Sequence, residues 1–182
     1  VTRTLLRAAA LEYKSPSDTL ERVNELLLVN SQNGLFVTTF YGVLSLEDGL
    51  LTYTIAGHNP PMIVQSSSKE IVEMDKGGIA LGALSGIKLE QKQCRLNPGD
   101  CLVLYTDGVT EAFNEQDQMY GEDRLKQVLH SGIGKGAEDV LSLLKIDLED
   151  FRDNAPLSDD TTILAICRNP SLTDDNGERR SL

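Results

Sequence analysis

The feature of this 182-residue chain that most constrains its fold is a long series of strand-like segments between residues 34 and 106. Each segment is short and rich in β-branched and aromatic residues, and turn sequences such as EDG at Glu47–Gly49 separate them. Adjacent strand segments joined by a short turn predict antiparallel hairpins. Three hairpins are expected, pairing 35–46 with 50–57, 61–65 with 70–74, and 89–96 with 101–106.

Helical patterns flank this strand-rich region on both sides. Ser15 is expected to cap a helix over 15–30, with Pro16 at its first position. Apolar residues recur in that helix at the spacing of a buried stripe: Leu20, Val23, Leu26 and Leu27. The other expected elements are helices over 1–13, 122–130 and 137–151 and a closing strand over 161–167. Helices, then antiparallel strands, then helices and a strand indicate an α+β fold rather than alternating βαβ units.

Composition narrows the class of protein further. Hydrophobic residues make up 40% of the chain and the net charge is −11, with no block of basic residues, so neither nucleic acid nor an anionic membrane surface is an expected partner. No apolar run approaches the roughly 20 residues of a membrane helix, and no signal peptide is recognisable. A cytoplasmic domain is therefore expected. The three cysteines, Cys94, Cys101 and Cys167, are odd in number and widely spaced, and they are expected to be reduced core thiols.

Carboxylates stand at the ends of two apolar strands. Asp107 follows the strand 101–106, and Asp159 and Asp160 precede the strand 161–167. If these strands are antiparallel neighbours, the acids meet at one end of the sheet and form oxygen ligands for a hard cation such as Mg²⁺ or Mn²⁺. The alternative is structural, because Asp-Gly is a common turn dipeptide and an aspartate before a strand is ordinary. The residues alone leave both interpretations open.

Four sequence blocks occur in an order that resembles a known family. They are FVTTFYGVLSLEDGLLTYTIAGHNPPMIV, GGIALGA, LNPGDCLVLYTDGVTEAFN with YGEDRL after it, and SDDTTILAI. Together they resemble the bacterial PPM-type (type 2C-like) serine/threonine phosphatases of the SpoIIE/RsbU group. The resemblance covers residues 1–168 and leaves 169–182 as a polar tail. It implies an antiparallel β-sandwich flanked by helices in αββα layers, with two Mn²⁺ or Mg²⁺ ions that activate a water molecule for attack on phosphorus.

The resemblance also implies roles for individual residues. Asp107 corresponds to a metal-binding aspartate, and Asp159 to the metal-binding aspartate of the last strand, so both are expected to be catalytic. Asp160 takes the neighbouring place, and Gly108 is similar to a glycine that lets the backbone turn tightly beside the ion. His58 is either a general acid for the leaving oxygen or a loop residue that fixes the turn with its neighbours.

The chain departs from the family pattern at its N-terminus. The family begins with two further aspartate motifs, Gly-Asp-Tyr-Tyr-Asp and Asp-Val-x-Gly-[His/Lys]-Gly, and neither occurs here. The sequence starts within a helical pattern, so the expected sandwich is truncated at its N-terminus and its sheet edges are open. The chain is either a fragment of a longer protein or a truncated relative that has lost catalysis, and the sequence leaves both open.

The resemblance implies a metal-dependent phosphatase that removes phosphate from serine or threonine of a small regulatory protein of the anti-anti-sigma type in bacterial signalling. An upstream sensor or receiver domain is an expected neighbour in the full-length protein, and a homodimer is possible. The alternative function is that of a non-catalytic pseudophosphatase that binds a regulatory partner. A plain structural domain with chance Asp turns would require four ordered motifs to coincide.

Overall fold

The structure is a computed structural model that describes residues 1–13, 15–30, 36–156 and 158–169. Its elements are α1 (Thr2–Glu12), α2 (Pro16–Asn30), β1 (Thr39–Leu44), β2 (Leu50–Ala56), β3 (Met62–Val64), β4 (Ile71–Glu73), β5 (Lys92–Arg95), β6 (Cys101–Tyr105), α3 (Asp107–Thr110), α4 (Gly121–Ser131), α5 (Ala137–Arg152) and β7 (Ile163–Cys167). They form two compact units: the first contains residues 1–60 and 75–95, and the second contains 61–74 and the chain from 96 onward. Nearly all of the expected tail, residues 170–182, lies outside the described residues.

The first unit combines α1 and α2 with a three-stranded antiparallel sheet in the order β1-β2-β5. The predicted cap of α2 is confirmed, because the backbone N–H of Asp18 donates to Oγ of Ser15 at 3.3 Å. The predicted stripe of α2 is largely buried, with Leu26 only partly covered. It forms a core with residues of α1, β2 and the chain between β4 and β5: Ala9, Leu20, Val23, Leu27, Ala56, Leu81 and Leu89.

The glycine-rich segment 77–86 is fixed to α2 by polar contacts. The side chain of Asn24 is fully buried; its Oδ1 accepts the N–H of Gly82 at 2.8 Å, and its Nδ2 donates to the carbonyl of Leu84 at 2.9 Å. Oε1 of Glu25 accepts the N–H of Gly86 at 3.0 Å. Because a buried amide that loses its partners costs free energy, Asn24 specifies where this segment lies on the helix.

The second unit contains a four-stranded antiparallel sheet in the order β4-β3-β6-β7, together with α3, α4 and α5. Every residue of β3 and β6 is buried, as their uninterrupted apolar sequences predict. Leucine and valine stripes of α4 and α5 complete the core on one side of this sheet: Leu125, Leu129, Val140, Leu144 and Leu148. The α+β class with antiparallel sheets and flanking helices is confirmed.

Two of the three expected hairpins are confirmed, and the third is wrong. β1 pairs with β2 and β3 with β4, but β5 pairs with β2 whereas β6 lies between β3 and β7. The turn Asn97–Asp100 exists, with the N–H of Asp100 donating to the carbonyl of Asn97 at 2.9 Å. The buried carboxylate of Asp100 accepts the N–H groups of Ser66 at 2.9 Å and Asn97 at 2.8 Å. The turn is therefore anchored to the β3–β4 connection, and it separates β5 and β6 instead of pairing them.

The expectation of three reduced thiols is wrong for two of them. Cys101 of β6 and Cys167 of β7 are directly opposite each other in the strand register and are joined by a disulfide. Cys94 is a free thiol, half-buried on β5, and burial raises its pKa. The pairing depends on the register of two strands far apart in sequence, which no spacing of cysteines reveals.

No helix in the described ranges is long and apolar enough to cross a membrane. The short helix α3 was not predicted, because its first residues, Asp107 and Gly108, are typical of a turn.

Candidate metal centre

The candidate centre lies at one end of the β6–β7 pair. The strands are antiparallel, with Tyr105 opposite Ile163, and the N–H of Thr106 donates to the carbonyl of Thr162 at 3.1 Å just beyond them. Asp107 leaves the C-terminal end of β6, and Asp160 approaches the N-terminal end of β7. The prediction that these acids lie at the same end of the sheet is confirmed.

Threonine hydroxyls join the two acidic segments. Oγ1 of Thr106 donates to the carbonyl of Asp160 at 3.1 Å and accepts the N–H of Thr162 at 3.0 Å. Oγ1 of Thr161 donates to the carbonyl of Gly108 at 3.1 Å. Sequence reasoning missed both residues as contributors to the site, although a threonine adjoins the acids in each block (YTDG and DDTT). Their hydrogen bonds fix the backbone that carries the carboxylates.

Gly108 makes the closest approach between the segments. A Cβ atom built on Gly108 would lie 2.5 Å from the carbonyl oxygen of Asp160 and 2.9 Å from its carbonyl carbon. Real Cβ atoms essentially never come so close to backbone, so any side chain would push the segments apart. This close contact explains why position 108 holds a glycine. The role of Gly108 in metal binding stays a prediction.

The carboxylates themselves face solvent. Asp107, Asp159 and Asp160 are all exposed. One oxygen of Asp107 accepts the N–H of Gly108 at 3.1 Å, and one of Asp159 accepts the N–H of Asp160 at 2.6 Å, which leaves further oxygen lone pairs for a ligand. In the described part of the chain no Lys, Arg or His side chain is ion-paired with any of them. Exposed oxygen donors without a cationic partner fit a hard divalent ion.

The donor set is incomplete within the described residues. None of them form a group of three or more His, Cys, Asp or Glu side chains that could hold a metal ion. The assignment of Asp107 and Asp159 as metal ligands, with Asp160 beside them, therefore remains a prediction that the donor chemistry fits.

Two other titratable residues, His58 and Tyr105, were considered beside the carboxylates. Nδ1 of His58, in the first unit, donates to the carbonyl of Asn59 at 2.7 Å, which supports the interpretation of His58 as a loop residue. Tyr105 precedes the candidate centre, and burial, followed by Glu122 and Glu73, raises its pKa to about 12. Its phenol therefore stays protonated at neutral pH.

Solved structures with the same fold identify the class of this domain. The SiaA-PP2C domain of Pseudomonas aeruginosa matches with a TM-score of 0.80 at 18% identity, over 92% of this chain and 68% of that chain. The RsbU and RsbW domains of Rv1364c from Mycobacterium tuberculosis match with a TM-score of 0.74 at 25% identity, over 92% of this chain and 46% of that chain. The fold is that of a PP2C-type (PPM) phosphatase domain.

The particular family follows from the sequence. The chain belongs to the Stage II sporulation protein E (SpoIIE) family, which matches residues 1–169. Phosphoserine phosphatase RsbU of Bacillus subtilis is 28% identical over 158 residues, which cover 84% of this chain and 45% of that protein. The resemblance to the SpoIIE/RsbU group is confirmed. The chain spans less than half the length of the curated relatives it matches.

Proposed function

We propose that this domain belongs to a metal-dependent protein phosphatase that hydrolyses phosphoserine or phosphothreonine on a small regulatory protein of the anti-anti-sigma type in bacterial signalling. The observation that carries the proposal is the placement of Asp107 and Asp159 at one end of the β6–β7 pair. Two relatives support the substrate class. RsbU of Bacillus subtilis is a phosphoserine phosphatase, and Rv1364c of Mycobacterium tuberculosis has both an RsbU and an RsbW domain.

In this proposal Asp107 and Asp159 hold Mn²⁺ or Mg²⁺, with Asp160 beside them and Gly108 allowing the close approach; the complete domain uses two ions. A bound divalent ion would supply positive charge to the phosphoryl group as negative charge develops on it. The protein residues supply fixed positions, because hydrogen bonds from Thr106 and Thr161 hold the acidic segments together. The exposure of the carboxylates leaves the centre open to a phosphorylated side chain.

A second function has an observation in its favour. The described residues lack a group of three metal-binding side chains, so this domain could bind a regulatory partner without catalysing hydrolysis. The proposal further includes an upstream sensor or receiver domain in the full-length protein, and homodimerisation as a means of control.

Mn²⁺-dependent hydrolysis of p-nitrophenyl phosphate by this chain, with Mn²⁺ binding followed by calorimetry, tests the catalytic proposal. Asp107→Asn is expected to lower the rate of hydrolysis and the affinity for Mn²⁺ by more than roughly 100-fold each. The loss of a residue that only hydrogen-bonds to a metal ligand already lowers affinity or activity about 10–100-fold. Asp150→Asn removes an exposed carboxylate from α5 and serves as the matched control.

Each outcome separates the candidates. Mn²⁺ binding that depends on Asp107 without hydrolysis supports the non-catalytic function, and extension of the chain upstream then tests whether further ligands restore activity. Hydrolysis that survives Asp107→Asn at the level of Asp150→Asn would show that the catalytic centre lies elsewhere.

A further inference from the structure

The connection between α3 and α4, residues 111–120, presents two large apolar side chains to solvent. Phe113 is 41% exposed and Met119 is 55% exposed. They are partners in an isolated antiparallel bridge, so their side chains lie on the same face of the connection. Phe113 and Met119 therefore form a small exposed apolar patch that a partner could contact, rather than two scattered surface residues.

This connection is a fixed loop. Oδ1 of Asn114 accepts the N–H groups of Gln116 at 3.1 Å and Gln118 at 2.9 Å, and its Nδ2 donates to Oε1 of Gln118 at 2.9 Å. The N–H of Asp117 donates to the carbonyl of Asn114 at 3.1 Å, and the N–H of Asn114 donates to the carbonyl of Gln118. A surface that is ordered before binding loses less conformational entropy when a partner docks.

The base of the loop is attached to the candidate metal centre. The N–H of Glu111 donates to the carbonyl of Asp107 at 2.7 Å. The hydroxyl of Ser158, which directly precedes Asp159, donates to the carbonyl of Glu111 at 3.1 Å. A phosphorylated residue bound at the carboxylates would therefore have its neighbouring residues beside this loop.

The charge of the loop indicates what kind of segment it fits. Glu111, Glu115 and Asp117 are exposed, and within the described residues no cationic side chain is ion-paired with them. The whole chain carries a net charge of −11. Two copies of such a loop would repel each other, whereas a segment with Lys or Arg would be attracted.

We propose that residues 111–120 form a docking loop for the phosphorylated segment of a protein substrate. An apolar side chain of the substrate packs against Phe113 and Met119, and a Lys or Arg of the substrate faces Glu115 and Asp117. This inference rests on the proposed function, since it names the substrate feature that the same centre selects: an apolar and a basic residue near the phosphorylated serine or threonine.

Fluorescence anisotropy with labelled synthetic peptides tests the docking loop. The probes are short phosphoserine peptides on a Gly-Ser background in which Leu and Lys occupy each flanking position in turn, measured with Mn²⁺ present. The unaltered chain is expected to prefer particular Leu- and Lys-containing members. Phe113→Ser with Met119→Ser is expected to weaken that binding roughly tenfold, the loss typical of a central apolar anchor.

The matched control for this pair is Ile146→Ser, which removes a 57% exposed apolar side chain from α5 in the same unit. A second double variant, Glu115→Gln with Asp117→Asn, removes two negative charges from the loop and leaves its apolar side chains unchanged. Asn is suited to position 117 because the backbone there has φ of 57°, which Asn tolerates. This variant is expected to lose the preference for Lys while it keeps the preference for Leu.

The outcomes are distinguishable from those of the catalytic proposal. Equal peptide binding by the unaltered chain and by both loop variants, or no selective binding at all, overturns the docking loop. Circular dichroism must show that the variants remain folded for a loss to count in its favour. Loop-dependent binding without hydrolysis of p-nitrophenyl phosphate, by this chain and by its upstream extension, would leave the docking loop standing and remove the catalytic proposal; hydrolysis with loop-independent binding would do the reverse.

Discussion

At the residue scale, Gly108 is a position of the candidate centre that leaves no room for a side chain. Its missing side chain lets the start of α3 lie against the backbone of Asp160, and the hydroxyl of Thr161 then reaches its carbonyl oxygen at 3.1 Å. The same contact brings the segments of Asp107 and Asp159 together. Packing and proposed metal binding therefore depend on the same few atoms.

We expect Gly108→Ala to destabilise the fold by about 1–3 kcal/mol, because the added methyl group has only backbone to displace. Mn²⁺ affinity should fall with it, since the acidic segments must separate. Urea denaturation and calorimetric Mn²⁺ titration measure the two effects. Gly136→Ala is the control, because a Cβ there meets nothing within 4 Å and the expected cost is below about 1 kcal/mol. Equal stability of the two variants would show that the contact at Gly108 relaxes freely.

Sequence reasoning located the carboxylates of the candidate centre but not the groups that hold them. Asp107 and Asp159 are recognisable because each adjoins an apolar strand, and strand ends are readable from composition. Thr106 and Thr161 act through hydrogen bonds to residues more than fifty positions away. Those bonds exist only for one register of β6 against β7, and register is a property of the folded sheet.

At the scale of elements, α4 and α5 are held together by a polar and aromatic cluster. The guanidinium of Arg124 donates to both carboxylate oxygens of Asp147, at 2.8 and 3.0 Å, and lies 5.4 Å from the ring centre of Tyr120 and 4.7 Å from that of Phe151. The hydroxyl of Tyr120 donates to Asp147 at 2.7 Å. Because Tyr120 ends the docking loop, this cluster also fixes one end of that loop.

The cluster makes a pH-dependent contribution to stability. The hydrogen bonds from Arg124 are the main reason that the pKa of Asp147 lies below its ordinary value of 3.8. A carboxyl whose pKa is lower in the folded state stabilises the fold fully above its unfolded pKa and loses that contribution as the pH falls through the folded value. Asp147→Asn should therefore lower the free energy of unfolding by about 1 kcal/mol at neutral pH, and the difference should shrink below pH 3.8.

Urea denaturation of both proteins across this pH range measures the effect. Asp150→Asn, an exposed change on the same helix, is the matched control. A difference between the unaltered chain and Asp147→Asn that stays constant down to the lowest pH would contradict the assignment to an ionised Asp147.

The strand pairing shows where sequence reasoning stops at this scale. The hairpins β1–β2 and β3–β4 were predictable because short turns join strands that pair with each other. The turn Asn97–Asp100 gives the same local signal, yet Asp100 directs its carboxylate to Ser66 and the strands on either side pair elsewhere. A buried carboxylate satisfied by a distant backbone N–H is a long-range contact that no turn pattern contains.

At the scale of the whole molecule, the order of four motifs was enough to identify the family. The disulfide of the second unit could not be predicted from the sequence. The disulfide between Cys101 and Cys167 links residues 66 positions apart and joins β6 to the last strand of its sheet. Cys94 belongs to the first unit and pairs with neither. The three cysteines therefore differ in state for reasons of topology.

Protein purified without reductant should titrate one thiol per chain after denaturation, and three after reduction. In the chain-entropy treatment a cross-link across this span stabilises by about 4 kcal/mol, so reduction should lower the midpoint of thermal unfolding. Cys167→Ser should unfold at the midpoint of the reduced protein whether or not reductant is present. Cys94→Ser should keep the full response to reductant, because its thiol is outside the cross-link. Three thiols in the unreduced chain, or an identical response to reductant in the two variants, would contradict the disulfide, and β6 and β7 would then be held together by their hydrogen bonds and side-chain packing alone.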